Sequence, residues 1–362
     1  MEKSYKILVI NPGSTSTKIS VFENDKEIMR EDILHPADEI HHSHEIYGQF
    51  QFRKDVILKT LAEKNINLAS LDAIVARGGN MKPVVGGTYQ VNQPMLEDLR
   101  VGVMGQHASN LGGIIAHAIA QPLNINSYVV DPVIVDEFEP LARISGTPDI
   151  PRKSKDHPLN QKAVGRAAAK KMGGNYEDFN FLIAHMGGGI SVGVHKKGKV
   201  VDVNNSLDGD GPMSPNRCGG IPFGSLIDLC FSGNYTKDQL RKNLIGGGGL
   251  MGYLGTNDAR EVVKRIRAGD ENAHLVYEAM AYQISKEIAG GAAVLKGQVD
   301  RILLTGGLAN DSLLIGWIQE RVSFIAPILV FPGEHEMEAL AMGVLRVLRN
   351  EEKTQIYPNP VG

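Results

Sequence analysis

Three loops in this chain have compositions suited to binding phosphate or another anion. The first, residues 11–18, combines backbone N–H groups with four hydroxyls and a lysine, all of which can donate hydrogen bonds to phosphate oxygens. It is not a Walker A loop, which needs a second glycine before the lysine and a helix after it, because a strand pattern follows at residues 19–22. An ordinary polar hairpin turn would have the same composition.

The other two loops are rich in glycine. Residues 185–189 read His-Met-Gly-Gly-Gly, and residues 305–310 read Thr-Gly-Gly-Leu-Ala-Asn. Consecutive glycines let a backbone approach a ligand closely, and their cost in chain entropy requires a reason. Because open α/β sheets bind ligands at glycine turns beyond the carboxyl ends of strands, these loops favour a ligand site over simple turns.

Two arginines stand next to glycines. Arg77 follows the apolar run 71–76 and precedes two glycines, and Arg217 lies two residues before Gly219. The guanidinium group can bind a carboxylate or a phosphate through two parallel hydrogen bonds. Either arginine could instead form an ordinary structural salt bridge.

The segments that carry these residues alternate between strand and helix patterns, which predicts an α/β architecture. Strands are expected near residues 6–10, 19–22, 71–76, 128–130, 181–186, 200–203, 301–304 and 328–331. Helices are expected near residues 56–61, 110–120, 160–172, 258–268, 273–295 and 336–348.

The length of 362 residues predicts about two domains. A proline-containing polar break at residues 147–155 suggests domains of 1–150, completed by a C-terminal helix at about 340–362, and 151–339. Shifting the chain by 174 positions places residues 7–13 over 181–187, with a polar residue and then a glycine at matching places. Such a short match can arise by chance, but two domains of similar size favour duplication. The tail from residue 354 is expected to fray.

Composition excludes several classes of protein. The 38 Lys and Arg against 41 Asp and Glu give a formal charge of −3, which argues against a nucleic-acid binder with a strongly basic face. No apolar run reaches the roughly 18 residues of a membrane span. The first residues leave no room for a signal peptide, which predicts a cytoplasmic protein. Cys218 and Cys230 are expected to be reduced.

The loops and arginines belong to a larger set of motifs, which begins with Val-Ile-Asn-Pro-Gly-Ser at residues 9–14. The set resembles the acetate and butyrate kinase family over nearly the whole chain, and its butyrate-specific members most. This resemblance implies two similar ribonuclease H-like domains around a nucleotide cleft, the duplicated fold of actin-like ATPases. The other motifs are Ala-Arg-Gly-Gly at 76–79, Gly-Gln-His at 105–107, Val-Asp-Pro at 130–132, His157, 185–189, Arg-Cys-Gly at 217–219 and Thr-Gly-Gly at 305–307.

The resemblance also implies roles. Arg77 would bind the substrate carboxylate, Arg217 and His157 would stabilise the phosphoryl group in transfer, and Asp131 would position magnesium or the attacking carboxylate. Asp131 could otherwise be a turn residue before Pro132. The acyl site would include His107 and Gly79. The nucleotide would contact Asn11, Ser14, Lys18, His185, Gly187, Gly188, Gly189, Asp258, Arg260, Gly306, Gly307 and Asn310. Magnesium would be held by Asn11 and Glu336, with Glu334 and Glu338 as alternatives to Glu336.

Some positions depart from the acetate kinase pattern. Gln161 replaces a second histidine and Gly188 replaces an asparagine. Gly79 stands where a branched residue bounds the acetate pocket, so we expect room for a longer acyl tail. A histidine-rich stretch at residues 41–44 superficially suggests a metal site but lies outside the motifs, and we do not expect a metal there.

The resulting prediction is reversible, ATP-dependent phosphorylation of butyrate to butyryl phosphate, with ATP/ADP and Mg²⁺ as cofactors. One alternative is a broad short-chain or branched-chain acyl kinase acting on acetate, propionate or isobutyrate. Another is an ATPase module like actin or Hsp70, against which Asn11 argues because those proteins have an aspartate there. The expected partners are a carboxylate, a nucleotide and further copies of the chain in a homodimer or larger homo-oligomer, with neither nucleic acid nor membrane.

Overall fold

The structure is a computed structural model that describes residues 3–41, 45–206 and 210–358. Its strands in chain order are β1 (Lys6–Pro12), β2 (Ser16–Glu23), β3 (Lys26–Leu34), β4 (Ala73–Arg77), β5 (Thr88–Gln90), β6 (Asn126–Val130), β7 (Asn180–Met186), β8 (Ile190–Lys196), β9 (Lys199–Val203), β10 (Arg301–Gly306) and β11 (Ile328–Pro332). Its α-helices are α1 (Ala37–His41), α2 (Phe50–Glu63), α3 (Gln93–Val101), α4 (Asn110–Ala120), α5 (Pro158–Lys171), α6 (Phe223–Phe231), α7 (Lys237–Leu244), α8 (Gly249–Leu254), α9 (Ala259–Arg267), α10 (Glu271–Val294), α11 (Ser312–Val322) and α12 (Glu336–Leu348).

The chain divides into two compact units, Met1–Asp136 with His335–Gly362, and Glu137–Glu334. The expected boundary at residue 150 lies inside the second unit. Glu137 and Glu139 explain this difference, because the Glu137 carboxylate accepts the Val200 N–H at 2.8 Å and the Glu139 N–H donates to the Val201 carbonyl at 3.1 Å. The expected boundary at 339 would cut helix α12, which belongs entirely to the first unit.

The first unit contains a six-stranded sheet in the order β3-β2-β1-β4-β6-β5. Strands β1, β2 and β3 are antiparallel neighbours, and β4 and β6 run parallel to β1. The apolar run 7–10 is fully buried at the centre of this sheet, as expected of a strand covered on both faces. Helices α2 and α4 contribute Ile57, Leu61 and Ile115 to the core.

The second unit contains a five-stranded sheet in the order β11-β10-β7-β8-β9. Strands β7, β8 and β9 are again antiparallel neighbours, and β10 and β11 run parallel to β7. The long helix α10 packs Tyr277, Ile284 and Ile288 into one core. A second core contains Val164 and Ala168 of α5.

The two sheets share one strand order, apart from the extra edge strand β5 of the first. Each has three antiparallel strands followed by two parallel strands on the other side of the central one. Strand β1 begins at residue 6 and β7 at residue 180, which is the offset of 174 found in the sequence. The predicted α/β class with two similar domains is confirmed.

The segment after α12 packs against the first unit as far as residue 358. Tyr357 is 1% exposed, its hydroxyl donates to Asp98 at 2.5 Å, and Gln355 donates its N–H to the Thr88 carbonyl at 2.8 Å. The prediction of a frayed tail was therefore wrong for these residues, and residues 359–362 lie outside the described part. Within the described ranges, no helix combines the length and apolar character needed to cross a membrane.

Candidate functional site

A polar cluster in the first unit joins the ends of three elements. Asn11 of β1 donates its side-chain N–H to Glu336 Oε2 at 2.7 Å, and Arg77 Nη1 at the end of β4 lies 3.0 Å from Glu336 Oε1. Glu336 is the first residue of α12. Carboxylate and amide oxygens are ligands suited to Mg²⁺, which retains several waters and substrate oxygens in protein sites. The predicted pair Asn11 and Glu336 therefore fits this ion.

Neither of the alternative glutamates contacts Asn11. Glu338 lies 3.5 Å from His335 and its side chain is 58% exposed. Glu334 belongs to the second unit, where its backbone carbonyl accepts a hydrogen bond from Asn160. Glu336 is thus the glutamate that fits the predicted role, because it alone of the three joins the Asn11 and Arg77 side chains.

The first predicted phosphate loop connects β1 and β2. Gly13 donates its N–H to the Ser16 carbonyl at 2.8 Å, which forms the turn, and the side chains of Ser14 and Lys18 are exposed. Arg53 of α2 also binds this loop, although nothing in the sequence pattern pointed to it. Arg53 donates to three backbone carbonyls of this loop.

Asp131 directly follows β6 in an unusual conformation. Its φ is 37°, a region that non-glycine residues seldom adopt, and its carboxylate accepts the Gly87 N–H at 2.8 Å. The side chain is buried. Such strain is typical of functional sites, and the Gly87 N–H holds the Asp131 carboxylate in place, while both sequence interpretations of this residue stay predictions.

The structure gives Gly79 a different reason from the predicted one. A Cβ atom at Gly79 would lie 2.5 Å from the Asn110 Cα, at the first residue of α4. The missing side chain therefore permits close packing of α4 and leaves no additional space, because Asn110 occupies it. The structure thus shows a packing role for Gly79, and its role in an acyl pocket stays a prediction.

His107 is held as a neutral ring. Its Nδ1 accepts the Ser109 N–H at 3.2 Å and lies 2.8 Å from the Ser109 hydroxyl, which leaves the proton on Nε2. Burial, together with the charges of Arg77 and Arg53, lowers the pKa of His107. His107 can thus donate one hydrogen bond through Nε2, a property suited to a carboxylate oxygen.

Two predicted histidines of the second unit lie together. The rings of His157 and His185 stack with their centroids 4.1 Å apart and their planes 16° from parallel. Asn160 accepts a hydrogen bond from His185 Nδ1 at 2.8 Å, and the Ser191 hydroxyl lies 2.9 Å from His157 Nδ1. The sequence placed the histidines at a site but gave no sign of Asn160 or Ser191.

Gln161, which departs from the acetate kinase pattern, is part of a buried hydrogen-bonded chain behind His157. Its Nε2 donates to the Ser191 hydroxyl at 2.8 Å, and its Oε1 lies 2.8 Å from His195 Nε2. His195 Nδ1 in turn lies 2.5 Å from the Tyr176 hydroxyl. Burial lowers the pKa of His195 well below its usual value, so His195 is neutral and donates from Nε2 to Gln161.

The glycines of the second loop allow close contacts. A Cβ atom at Gly189 would lie 2.7 Å from Cζ of Arg217, so the Arg217 side chain lies directly over this loop. Arg217 Nη1 also donates to the Ser206 carbonyl. The Gly188 carbonyl accepts from the Ser214 hydroxyl at 2.6 Å, and the Gly187 N–H donates to the Gly189 carbonyl at 3.1 Å. The structure thus brings the predicted Arg217 to the predicted loop.

The third loop begins where β10 ends. Gly306 has a φ of 90°, and a Cβ atom there would lie 2.7 Å from both the backbone nitrogen and the carbonyl carbon of Met186, so only glycine fits. Gly307 has open space around its Cα, and Asn310 donates its side-chain N–H to the Gly307 carbonyl at 3.0 Å. The turn is exposed at Gly307 and Asn310, and its contact with adenosine stays a prediction.

Asp258 and Arg260 contact each other. Asp258 caps the N-terminus of α9, and its carboxylate accepts two hydrogen bonds from the Arg260 guanidinium, at 2.9 and 2.7 Å. The Arg260 hydrogen bond lowers the pKa of Asp258 to about 2. A helix cap explains this pair, and no further site residue contacts it in the described hydrogen bonds.

The histidine-rich stretch gives no structural evidence of a metal. Residues 42–44 lie outside the described residues, and His41 ends α1. Among the residues that the structure describes, no group of three or more His, Cys, Asp and Glu side chains is arranged to hold a metal ion.

Sequence comparison identifies the family. The model described as the Acetokinase family matches residues 152–325. A probable butyrate kinase from Clostridium botulinum is 56% identical over 354 residues, covering 98% of this chain and 100% of the relative. Butyrate kinase 2 of Clostridium acetobutylicum is 55% identical over 353 residues, covering 98% and 99%. The chain belongs to the acetokinase family, and the prediction of a phosphotransferase is confirmed.

Solved structures identify the same fold. The acetate kinase of Porphyromonas gingivalis matches with a TM-score of 0.78 at 18% identity, covering 95% of this chain and 100% of that one. A propionate kinase from Francisella tularensis matches with a TM-score of 0.75 at 18% identity, covering 94% and 98%. Together with the shared strand order, these matches confirm the predicted duplicated fold of actin-like ATPases.

Proposed function

We propose that this enzyme transfers the γ-phosphoryl group of ATP to butyrate and forms butyryl phosphate and ADP reversibly. The observation that carries the proposal is the Arg77 guanidinium, which binds the Glu336 carboxylate at 3.0 Å beside the buried Asn11. An arginine in this setting is equipped to bind a carboxylate substrate. The names of the relatives, with 55 and 56% identity over almost the whole chain, support butyrate as that substrate.

The reaction requires little covalent chemistry from the protein. A butyrate oxygen attacks the γ-phosphorus, the bond from that phosphorus to the β–γ bridging oxygen breaks, and ADP leaves with the electron pair, without net proton transfer. The main tasks are to bring two anions together and to stabilise the moving group. Arg77 would bind the carboxylate, with His107 as a neutral donor, and Asp131 would orient the reacting groups.

The second unit supplies charge stabilisation in this proposal. Arg217 and His157 would stabilise the phosphoryl group, and His185 with Gly187–Gly189 would contact the nucleotide phosphates. The turn of Gly306, Gly307 and Asn310 would contact the adenosine. Asp258 and Arg260 would contact the nucleotide from α9.

Asn11 and Glu336 would hold Mg²⁺, which neutralises phosphate charge when bound. Their side chains already lie within 2.7 Å of each other. We further propose, from the family resemblance alone, that the enzyme works in the cytoplasm as a homodimer or a larger homo-oligomer. Light scattering after size-exclusion chromatography measures the assembly.

The test is trapping of acyl phosphate with hydroxylamine, using ATP, Mg²⁺ and acetate, propionate, butyrate, isobutyrate or valerate. We expect the highest kcat/KM with butyrate. A maximum at acetate or propionate would instead identify a broad short-chain acyl kinase, and ATP hydrolysis without acyl phosphate would support an ATPase module.

A matched pair of variants tests the carboxylate site. Arg77→Ala should raise the KM for butyrate at least about tenfold, because a charge-assisted pair of hydrogen bonds is lost. The control is Arg30→Ala, whose side chain is 56% exposed and pairs only with Glu27 among the described ion pairs. Equal KM values for the two variants would remove Arg77 from butyrate binding.

A further inference from the structure

Arg53 is a buried arginine without an acidic partner in the described part of the chain. Its side chain is 0% exposed, and no described carboxylate lies within the 4.0 Å distance of an ion pair. Burial lowers its pKa. A buried charge normally needs partners that compensate for its lost hydration. For Arg53 these partners are the neutral groups that accept its hydrogen bonds.

The acceptors are almost all in the first phosphate loop. Nη1 donates to the Gly13 carbonyl at 2.9 Å and to the Ser16 carbonyl at 3.2 Å, and Nη2 donates to the Ser14 carbonyl at 3.2 Å. The Thr17 hydroxyl accepts from Nη1 at 3.1 Å. Gln49, one helical turn before Arg53, accepts from Nε and Nη2 at 3.1 and 2.9 Å and fixes the plane of the guanidinium.

These bonds determine where the loop presents its N–H groups. In a trans peptide the C=O and the following N–H point in opposite directions. Because the carbonyls of Gly13 and Ser14 point toward Arg53, the N–H groups of Ser14 and Thr15 point away from it. Both residues are exposed. Successive N–H groups aimed in one direction form an anion-binding concavity.

We propose that Arg53 is a positioning residue that shapes this loop for the β- and γ-phosphates of the nucleotide. It binds the carbonyls on one side, so that the N–H groups of Ser14 and Thr15 are directed at phosphate on the other, and its buried positive charge favours an anion there. This inference rests on the proposed function, because it takes the loop as a phosphate site. It adds a residue that contacts no substrate and acts through the loop.

Direct nucleotide binding tests the proposal without depending on catalysis. The dissociation constants of ATP and AMP, both with Mg²⁺, are measured by titration calorimetry for the full chain and for Arg53→Met. We expect the affinity for ATP to fall about tenfold or more, with AMP binding unchanged, because AMP lacks the β- and γ-phosphates. A merely structural role would lower the melting temperature without changing the ratio of the two affinities, and that result would overturn the proposal.

Three further variants sharpen the test. Arg53→Lys keeps the charge but offers one ammonium in place of the guanidinium fork, so we expect its ATP affinity to lie between those of Arg53→Met and the parent; wild-type affinity would refute the geometric argument. Lys59→Met removes an exposed charge from the same helix and should bind like the parent. Should the Arg53 variants fail to fold, Gln49→Leu leaves the arginine in place and should weaken ATP alone about threefold; an unchanged ratio would overturn the proposal.

The two proposals can fail separately. If the parent enzyme binds ATP but forms no acyl phosphate with any acid, the proposed function fails. If the parent forms butyryl phosphate and Arg53→Met keeps the ratio of ATP to AMP affinity, only the role of Arg53 fails.

Discussion

Glu336 pairs with Arg77 across 259 positions of sequence, with 3.0 Å between Oε1 and Nη1. The same carboxylate accepts the Asn11 side chain, so its orientation is fixed from two sides. A magnesium ligand held in this manner loses little freedom when the ion binds. The pair therefore connects the proposed metal site with the proposed carboxylate site through one side chain.

Glu336→Gln should raise the Mg²⁺ concentration required for half-maximal activity at least about tenfold, because a neutral amide replaces a charged oxygen ligand. The measurement is the initial rate of acyl phosphate formation over a magnesium titration. Glu338→Gln, two residues further along α12 and 58% exposed, serves as the control and should leave the titration unchanged. The same midpoint for both variants would exclude Glu336 as a ligand.

Arg217→Ala should reduce kcat at least about a hundredfold while the fold stays intact, because a cation that stabilises the phosphoryl group in transfer is lost. Turnover is measured at saturating ATP and butyrate. Arg267→Ala, an exposed residue in the last turn of α9, controls for the loss of a positive charge. Near-normal turnover of Arg217→Ala would remove this residue from the mechanism.

Gly189→Ala should reproduce part of the Arg217 defect without touching that residue. The added methyl group would lie 2.7 Å from the Arg217 Cζ and would displace the guanidinium. We expect kcat to fall about tenfold or more, measured beside Gly316→Ala, where the added methyl group meets no atom within 4 Å. A normal kcat for Gly189→Ala would mean that the position of Arg217 does not limit the reaction.

Gly79→Ala tests the packing reason given above for this glycine. Its methyl group would lie 2.5 Å from the Asn110 Cα, and overpacking of this kind costs about 1–3 kcal/mol. We expect a lower melting temperature and similar losses of kcat/KM for all acids, whereas a stable variant with a selective gain for acetate would restore the pocket interpretation. Gly290→Ala, with open space around it, is the control.

The stability of the protein should fall as the pH falls from about 6.5 to about 4 because of His35. Burial, followed by the charge of Arg53, lowers the pKa of His35 to about 4 in the folded state, while nearby Asp32 opposes this shift. The unfolded chain, with a pKa of about 6.5, therefore binds a proton in this range that the folded state does not. The pKa difference of about 2.5 between the two states corresponds to at most about 3.4 kcal/mol.

Urea unfolding measured at several pH values between 4 and 7 tests this expectation. His35→Gln removes the titrating ring, so its free energy of unfolding should vary less steeply with pH than that of the parent. His274→Gln is the control, since His274 is not among the groups that shift the pKa of His35. Parallel pH profiles for the parent and His35→Gln would show that His35 titrates normally when folded.

Local patterns in the sequence sufficed to predict the strands and the loops that follow them. The buried runs at residues 7–10 and 181–184 each end in a polar residue and a turn, and this pattern needs no knowledge of distant residues. The glycine loops were predicted to let the backbone approach a ligand, whereas the close contacts of Gly189 with Arg217 and of Gly306 with Met186 appear only in the structure.

Features that depend on tertiary contacts escaped the sequence analysis. Arg53 lies just before the helical pattern predicted at residues 56–61, and only the packing of α2 against the loop buries its side chain and brings it to the loop carbonyls. The contact that a side chain at Gly79 would make with Asn110 likewise depends on where α4 begins. The unit boundary was misplaced because the pairing of Glu137 and Glu139 with β9 has no local signal.

The first unit is assembled from two separated stretches of chain, whereas the second is continuous from Glu137 to Glu334. During synthesis on a ribosome, the second unit therefore emerges as a whole before residues 335–358 follow it. The carboxylate partner of Asn11, Glu336, is translated 325 positions after it. A nascent chain thus has a complete second unit before the cluster of Asn11, Arg77 and Glu336 can form, and early termination near residue 334 would leave that cluster without its shared carboxylate.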